Sequence, residues 1–127
     1  KIHSEPDIIL DVAHNEDGIK QVLEQLTLQY PKRELHFIMG FVNDKPLDKV
    51  LKLFPSAANY YFTQAHIPRA LSGKALASQA DDFNLKGKIF PDVNDALNEA
   101  KAKASPDDVI LVCGSFFVIA EVDSNLL

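Results

Sequence analysis

Short apolar runs alternate along the chain with segments whose hydrophobic residues recur every three or four positions. The apolar runs are rich in β-branched and aromatic residues, a composition typical of strands buried inside a sheet. They predict five strands, at residues 7–12, 34–41, 57–63, 86–90 and 109–113.

The intervening segments predict amphipathic helices. These cover residues 19–30 with Pro31 as terminator, a segment with Pro46 in its first turn that reaches Phe54, residues 69–80, a helix capped by Asp92, and residues 116–122. Five successive strand–helix units predict an α/β fold, a doubly wound and mostly parallel sheet with helices on both faces. Because no linker or repeat interrupts the pattern, we expect residues 1–127 to form a single domain.

Composition narrows the class of protein further. The net charge of −5 and the scattered basic residues exclude a general nucleic-acid binder, which needs a clustered basic face. No apolar stretch approaches the roughly 20 residues that cross a bilayer, so we expect no membrane partner. Cys113 is the single cysteine and lies in a predicted strand, which indicates a reduced, inert thiol and a cytoplasmic protein. The chain begins at Lys1, and we expect it to be a piece of a longer protein.

Candidate chemistry follows from the fold class, because parallel sheets bind ligands beyond the carboxyl ends of their strands. The loops after the first, second, third and fifth predicted strands carry the polar candidates, which are Asp11, His14, Asn15, Asp44, Lys45, His66, Arg69 and Ser115. The turns at the opposite ends carry ordinary breakers such as Pro31 and Pro106. This asymmetry predicts one functional edge.

Several candidates have a structural alternative. Asp11 either accepts a ribose hydroxyl or caps its loop, and Asn15 is a strong helix N-cap. Asp44 and Lys45 could form a solvated pair in a turn. Ser115 either caps the last helix or donates to a carboxylate.

The basic side chains among the candidates need separate interpretations. His14 is a poor cap, so we predict a polar ligand contact for it. Arg69 falls at the predicted start of a helix, where a cation opposes the helix dipole, and a bound anion shared with the helix amides would explain its position. His66 lies beside it, and both readings stay open. His3 and His36 have no polar neighbours in sequence and are predicted to be structural.

Familiar catalytic motifs are missing from the sequence. It contains neither a GxGxxG turn nor a GxxxxGK[ST] phosphate loop, so this chain alone is not expected to cradle a triphosphate. No cluster has metal-ligand spacing, and no GxSxG elbow occurs. We therefore assign neither a metal site nor a catalytic residue.

Four motifs nevertheless resemble one family. The segment from Leu10 to Asn15 (LDVAHN) resembles the L-D-G-A-H-N-P segment of folylpolyglutamate and dihydrofolate synthases, members of the Mur ligase superfamily. The segments GFVNDK, HIPRA and VILVCGSF resemble their G-x-x-x-D-K-D, P-R-A/G and closing V-L-V-x-G-S-[LF] segments. They occur in family order across almost the whole chain, which matches the family's Rossmann-like C-terminal domain.

The resemblance implies an ATP-dependent ligase that joins the carboxylate of dihydropteroate or folate to the amine of L-glutamate through an acyl phosphate. ATP phosphates and Mg²⁺ are held mainly by an N-terminal domain that this chain lacks, so the isolated chain is expected to be inactive. By the same resemblance, His14 and Ser115 bind glutamate, and Asp11 and Asn15 face ATP. Lys45, Arg69 and His66 are candidate contacts for anionic groups.

Two positions depart from the family pattern, and two other functions compete with this one. Val12 replaces a glycine, and Glu16 replaces a proline beside the expected carboxylate site. The alternatives are the C-terminal domain of a cell-wall Mur ligase and a non-enzymatic, receiver-like α/β module. A receiver needs an aspartate at the end of its third strand, where this chain has Tyr61-Phe62-Thr63.

Overall fold

The structure is a computed structural model that describes residues 5–127, so the expectation for His3 lies outside the described residues. The elements in chain order are β1 (Asp7–Leu10), α1 (Glu16–Gln29), β2 (Leu35–Met39), α2 (Asp48–Leu51), β3 (Asn59–Phe62), α3 (Gly73–Asp81), β4 (Gly87–Ile89), α4 (Val93–Lys103), β5 (Val109–Cys113), α5 (Phe116–Ala120) and a 3₁₀ helix (Ser124–Leu126). Within residues 5–127, no helix is long and apolar enough to span a membrane.

The five strands form one parallel sheet in the order β1-β5-β2-β3-β4, which confirms the predicted fold class. The chain steps from β1 to β4 in one direction, and then β5 returns to lie between β1 and β2. Because crossovers between parallel strands are right-handed, this reversal moves the later helices to the opposite face. Helices α1, α2 and α3 therefore cover one face, and α4 and α5 cover the other.

Alternation along the strands supplies both cores. In β2, Phe37 and Met39 pack beneath α1–α3, while Ile38 between them packs beneath α4 and α5. The central strand β5 is buried along its whole length, because both of its faces are covered. This is why its sequence is a continuous apolar run rather than an alternating one.

The strand order also separates this domain from receiver domains. Flavodoxin-like receivers have the order 2-1-3-4-5, whereas here β5 lies between β1 and β2. The receiver-like alternative is therefore wrong for this chain.

Three residues that the sequence offered as helix N-caps act as caps in the structure. Asn15 Oδ1 accepts the Gly18 N–H at 2.8 Å, Asp92 Oδ1 accepts the N–H groups of Asn94 and Asp95, and Ser115 Oγ accepts the Val118 N–H at 3.2 Å. These side chains satisfy amides that the first helical turn leaves unpaired.

Two helix starts were predicted wrongly. Helix α2 begins at Asp48, so Pro46 precedes the helix instead of opening it. Helix α3 begins at Gly73 with Ser72 as its N-cap, so Arg69 does not lie at a helix start and the argument from the helix dipole fails. Helix α3 starts late because contacts with a distant segment hold the preceding residues extended. Ala70 forms an antiparallel β-bridge with Val42, and the Leu71 N–H donates to the Phe41 carbonyl at 2.9 Å.

The fold gives His36 polar partners that its neighbours in sequence do not supply. His36 is buried, and its Nδ1 lies 2.9 Å from the Tyr61 hydroxyl and its Nε2 lies 2.9 Å from Asp108 Oδ2. The same carboxylate oxygen accepts the Ser105 N–H. His36, Tyr61 and Asp108, which we term the buried triad, are far apart in sequence, so their contact is visible only in the fold. The role of His36 within this buried network is structural.

Candidate functional site

The strands β1, β5 and β2 end close together, at what we term the carboxyl rim (residues 11–15, 40–45, 63–70 and 114–115). The Gly114 N–H donates to the Ala13 carbonyl at 3.0 Å, and the Gly40 N–H donates to the Cys113 carbonyl at 3.2 Å. Gly114 has φ +116°, and a Cβ there would collide with the Gly40 backbone. Only glycine tolerates both conditions, and this close approach places Ser115 between the β1 and β2 loops.

The loop after β1 is ordered by its own side chains. Asp11 is half-buried, and its Oδ1 accepts the Ala13 N–H at 2.9 Å, while Asn15 caps α1. Valine at position 12, where the family has glycine, causes no backbone strain. Within residues 5–127 the non-glycine residues with positive φ are Lys32 and Asn84, and Val12 is not among them. Val12 therefore needs no left-handed backbone, and its side chain is 52% exposed.

A cavity of about 320 Å³ opens at this rim, between the loops after β1, β2, β3 and β5. Its polar lining consists of His14, Asp44, Lys45, Arg69 and Ser115, and its apolar lining includes Val12, Phe41, Leu47, Phe116 and Phe117. The fold thus brings His14, Lys45, Arg69 and Ser115 from four different loops to one cavity.

The cavity is cationic although the chain as a whole carries a net charge of −5. Lys45 and Arg69 are exposed, and in the part of the chain that the structure describes neither side chain forms an ion pair. Asp44 is the acidic residue in the lining. Unpaired cations beside a neutral hydroxyl and an imidazole suit the binding of an anion such as a carboxylate.

A second, larger groove of about 660 Å³ adjoins the first. It contains Asp11, Ala13 and Asn15 and continues along α1, and Val12 and His14 line both spaces. The two pairs of predicted site residues, Asp11 with Asn15 and His14 with Ser115, are therefore neighbours across a shared wall.

His66 is placed differently from the other candidates. Its Nδ1 lies 3.0 Å from Glu121 Oε1, and it lines neither of the two spaces. The structure gives no support to an anion contact by His66, because its imidazole already faces a carboxylate.

The apolar wall of the cavity was missed by sequence reasoning. Phe116 is 62% exposed and forms an edge-to-face pair with Phe117, whereas the sequence pattern predicted both only as part of the final helix. The available signal was position, because these residues directly follow the Gly114-Ser115 turn at the rim.

Cys113 lies beneath this rim but does not belong to the cavity. It is fully buried, and burial raises the pKa of its thiol to about 12. A thiol with that pKa is protonated at neutral pH and is not a nucleophile, so the prediction of an inert thiol is confirmed. Residues 5–127 contain no group of three or more His, Cys, Asp or Glu that could hold a metal ion.

Comparison with known proteins gives one consistent family. The family model described as "Mur ligase, glutamate ligase domain" matches residues 1–116. A probable bifunctional folylpolyglutamate synthase/dihydropteroate synthase of Haloferax volcanii is 34% identical over 119 residues, which is 93% of this chain and 14% of that protein. The dihydrofolate synthase/folylpolyglutamate synthase of Bacillus subtilis is 24% identical over 126 residues, which is 98% of this chain and 29% of that protein.

Solved structures give the same result. E. coli FolC in complex with DHPP and ADP has a TM-score of 0.81 and 29% identity, covering 94% of this chain and 28% of that one. A bifunctional folylpolyglutamate synthase/dihydrofolate synthase with Mn, AMPPNP and L-glutamate bound has a TM-score of 0.83 and 30% identity, covering 99% of this chain and 30% of that one. The chain spans less than a third of each of these relatives.

Proposed function

This chain belongs to the Mur ligase family, as a glutamate ligase domain, and from that membership we propose a role for the protein that contains it. The protein is an ATP-dependent ligase that adds L-glutamate to dihydropteroate or folate, and this domain supplies the glutamate site. The folate branch is preferred to the cell-wall branch because relatives such as those of H. volcanii and B. subtilis are named as folate enzymes.

The rim cavity is the observation that carries this proposal. Its volume of about 320 Å³ lies at the lower end of the usual range for ligand pockets, roughly 300–1,000 Å³. That size suits an amino acid better than a folate or a whole nucleotide. Glutamate carries two carboxylates, and Lys45 and Arg69 provide two cations at the same cavity.

Each lining residue then has a specific task. The Ser115 hydroxyl and the His14 imidazole orient glutamate by hydrogen bonds, and Lys45 and Arg69 neutralise its carboxylates. The apolar wall that includes Phe116 and Phe117 reduces the access of water, which strengthens these charge interactions. Glu16 lies in the exposed first turn of α1, where an acid is favourable to the helix.

The nucleotide is assigned to the adjoining groove. When bound, ATP supplies the phosphoryl group that activates the folate carboxylate. Asp11 fits a sugar hydroxyl, because its Oδ2 accepts no hydrogen bond within residues 5–127 while Oδ1 is held by Ala13. The phosphates and Mg²⁺ are assigned to the remainder of the protein. A cytoplasmic location fits the single, reduced thiol.

The first test measures glutamate affinity in the full-length protein. His14→Ala and Ser115→Ala should each raise the KM for glutamate by about 10-fold or more, since each removes a hydrogen bond to a charged group worth roughly 1.5–3 kcal/mol. ADP release with ATP, dihydropteroate and glutamate is the measurement, and the isolated chain should show no turnover.

Ser115→Ala also removes a helix cap, so Ser72→Ala serves as its matched control. Ser72 Oγ caps α3 by accepting the Ala75 N–H at 3.1 Å, and Ser72 lines neither space. Both variants should lose about 1 kcal/mol of stability, but the control should keep its KM. Unchanged glutamate kinetics in both site variants, or turnover by the isolated chain, would contradict the proposal.

A further inference from the structure

Helix α5 is connected to two walls of the cavity. Ser115, its N-cap, lines the cavity directly. Glu121, its C-cap, extends to the loop between β3 and α3, where its Oε2 accepts the His66 backbone N–H at 2.7 Å. Its Oε1 lies 3.0 Å from His66 Nδ1. One short helix therefore contacts both the Ser115 turn and the loop that carries Arg69.

The Glu121 carboxylate is committed to this loop. Its Oε1 is buried and accepts no hydrogen bond of good geometry from the described residues, so the 3.0 Å approach of His66 Nδ1 is the polar contact described for it. A buried carboxylate oxygen is costly without a partner. The carboxylate therefore holds the loop at two points, the backbone N–H of His66 through Oε2 and the imidazole through Oε1.

The other end of the loop is fixed by backbone bonds. The Arg69 carbonyl accepts the Asn43 N–H at 2.6 Å, and Ala70 bridges Val42. In this loop the side chains of His66, Pro68 and Arg69 are exposed, whereas Ala65 is buried and Ile67 packs against the core beneath α4 and α5. The exposed Arg69 side chain is not itself packed in place, so its direction follows from the backbone of residues 64–70, which core packing, these backbone bonds and the Glu121 contact hold together.

We propose that Glu121 is a positioning residue of the anion site: by fixing His66, it holds residues 64–70 so that Arg69 faces the cavity lined by Ser115. This inference rests on the proposed function, because it takes the cavity to be the glutamate site. Glu121 itself lies outside the cavity lining and acts through Arg69.

A double-mutant cycle in the full-length protein tests the coupling. Arg69→Ala should raise the KM for glutamate about tenfold, the effect of losing one charge-assisted hydrogen bond. Glu121→Ala should raise it by a similar or smaller factor, with kcat within about twofold, because binding rather than chemistry is affected. Adding Glu121→Ala to Arg69→Ala should raise the KM no further.

Conservative variants separate positioning from general destabilisation. Glu121→Gln keeps an oxygen for the His66 N–H and should restore most of the glutamate affinity. His66→Ala removes the imidazole and keeps the backbone N–H, so its KM should lie between wild type and Glu121→Ala. It also completes the cycle with Arg69→Ala if Glu121→Ala does not fold. Asp123→Ala, which removes the cap of the 3₁₀ helix nearby, should lower the melting temperature and leave the KM unchanged.

The outcomes distinguish this inference from the proposed function. If His14→Ala and Ser115→Ala raise the KM but Arg69→Ala does not, the glutamate site stands and the role of Glu121 is refuted. Additive effects of Glu121→Ala and Arg69→Ala would refute it as well. If none of these variants changes the KM for glutamate, the proposed function itself fails.

Discussion

The two rims of the sheet differ in whether their titratable side chains are buried and paired or exposed and unpaired. At the amino rim, where the strands begin, the buried triad joins His36 to Tyr61 and Asp108, and both imidazole nitrogens have a protein partner. At the carboxyl rim, Lys45 and Arg69 are exposed and unpaired within the described residues. Buried, mutually satisfied groups stabilise a fold, whereas unpaired groups around a cavity are available to a ligand.

Two histidines show that the location of a residue in the fold determines its role. His14 and His36 are the same residue type, and each lies within or just after a strand. His36 points into a core, so its polarity must be satisfied internally. His14 lies on an exposed loop, with its Nδ1 3.2 Å from the Val12 carbonyl, and the rest of its ring faces the two rim spaces. The contrast between the rims can be tested with these residues.

The largest effect is expected from removing the centre of the buried triad. His36→Ala should lower the free energy of unfolding by about 3 kcal/mol or more, because it removes the partner of the buried Tyr61 hydroxyl and the imidazole contact of the Asp108 carboxylate, which retains the Ser105 N–H. His14→Ala should change it by less than about 0.5 kcal/mol. Urea unfolding of the chain, followed by circular dichroism, measures both. Equal losses in the two variants would erase the distinction between the rims.

Removing the Tyr61 hydroxyl from the buried triad should cause a smaller loss of stability. Tyr61→Phe should cost about 1–3 kcal/mol, since it keeps the ring and leaves His36 Nδ1 unsatisfied. Tyr60→Phe is the comparison, because Tyr60 donates to the carbonyl of the exposed Pro55, in the loop before the same strand, and is not part of the triad. The same urea experiment ranks the two. A harmless Tyr61→Phe would mean that the triad is held by Asp108 alone.

The effect that is confined to alkaline pH concerns Cys113, which lies at the carboxyl rim but is buried like the triad. Its pKa is raised by burial from 9.0 to about 12, so the folded protein holds the thiol proton more tightly than the unfolded chain does. The resulting stability is fully present below pH 9 and is lost as pH rises toward 12. Cys113→Ala should therefore show a shallower fall in unfolding free energy between pH 9 and 11 than wild type.

Tyr60 and Tyr61 also have raised pKa values because of burial, and they contribute to the alkaline loss in both proteins. The difference between wild type and Cys113→Ala isolates the thiol, since the cavity left by the substitution costs the same at every pH. Parallel pH profiles for the two proteins would show that the thiol is not protected by burial.

Local chemistry determined much of this protein from its sequence. Apolar runs that alternate with amphipathic segments predict the order of the five strands and the five α-helices. They also predict the bounds of β5 to the residue. Both follow from the sequence because side-chain period and burial are local properties. Asn15 and Asp92 act as caps for the same reason. The rim candidates were identifiable because every parallel strand ends at the same edge of the sheet.

Tertiary structure decided what depends on contacts between distant residues. The insertion of β5 between β1 and β2, the pairing of His36 with Asp108, and the backbone bonds that delay α3 to Gly73 all join positions far apart in the chain. Whether His66 faces a ligand or Glu121 depends on the same kind of contact. A sequence pattern records the preference of each segment, but the partner of a buried polar group is chosen only when the whole chain packs.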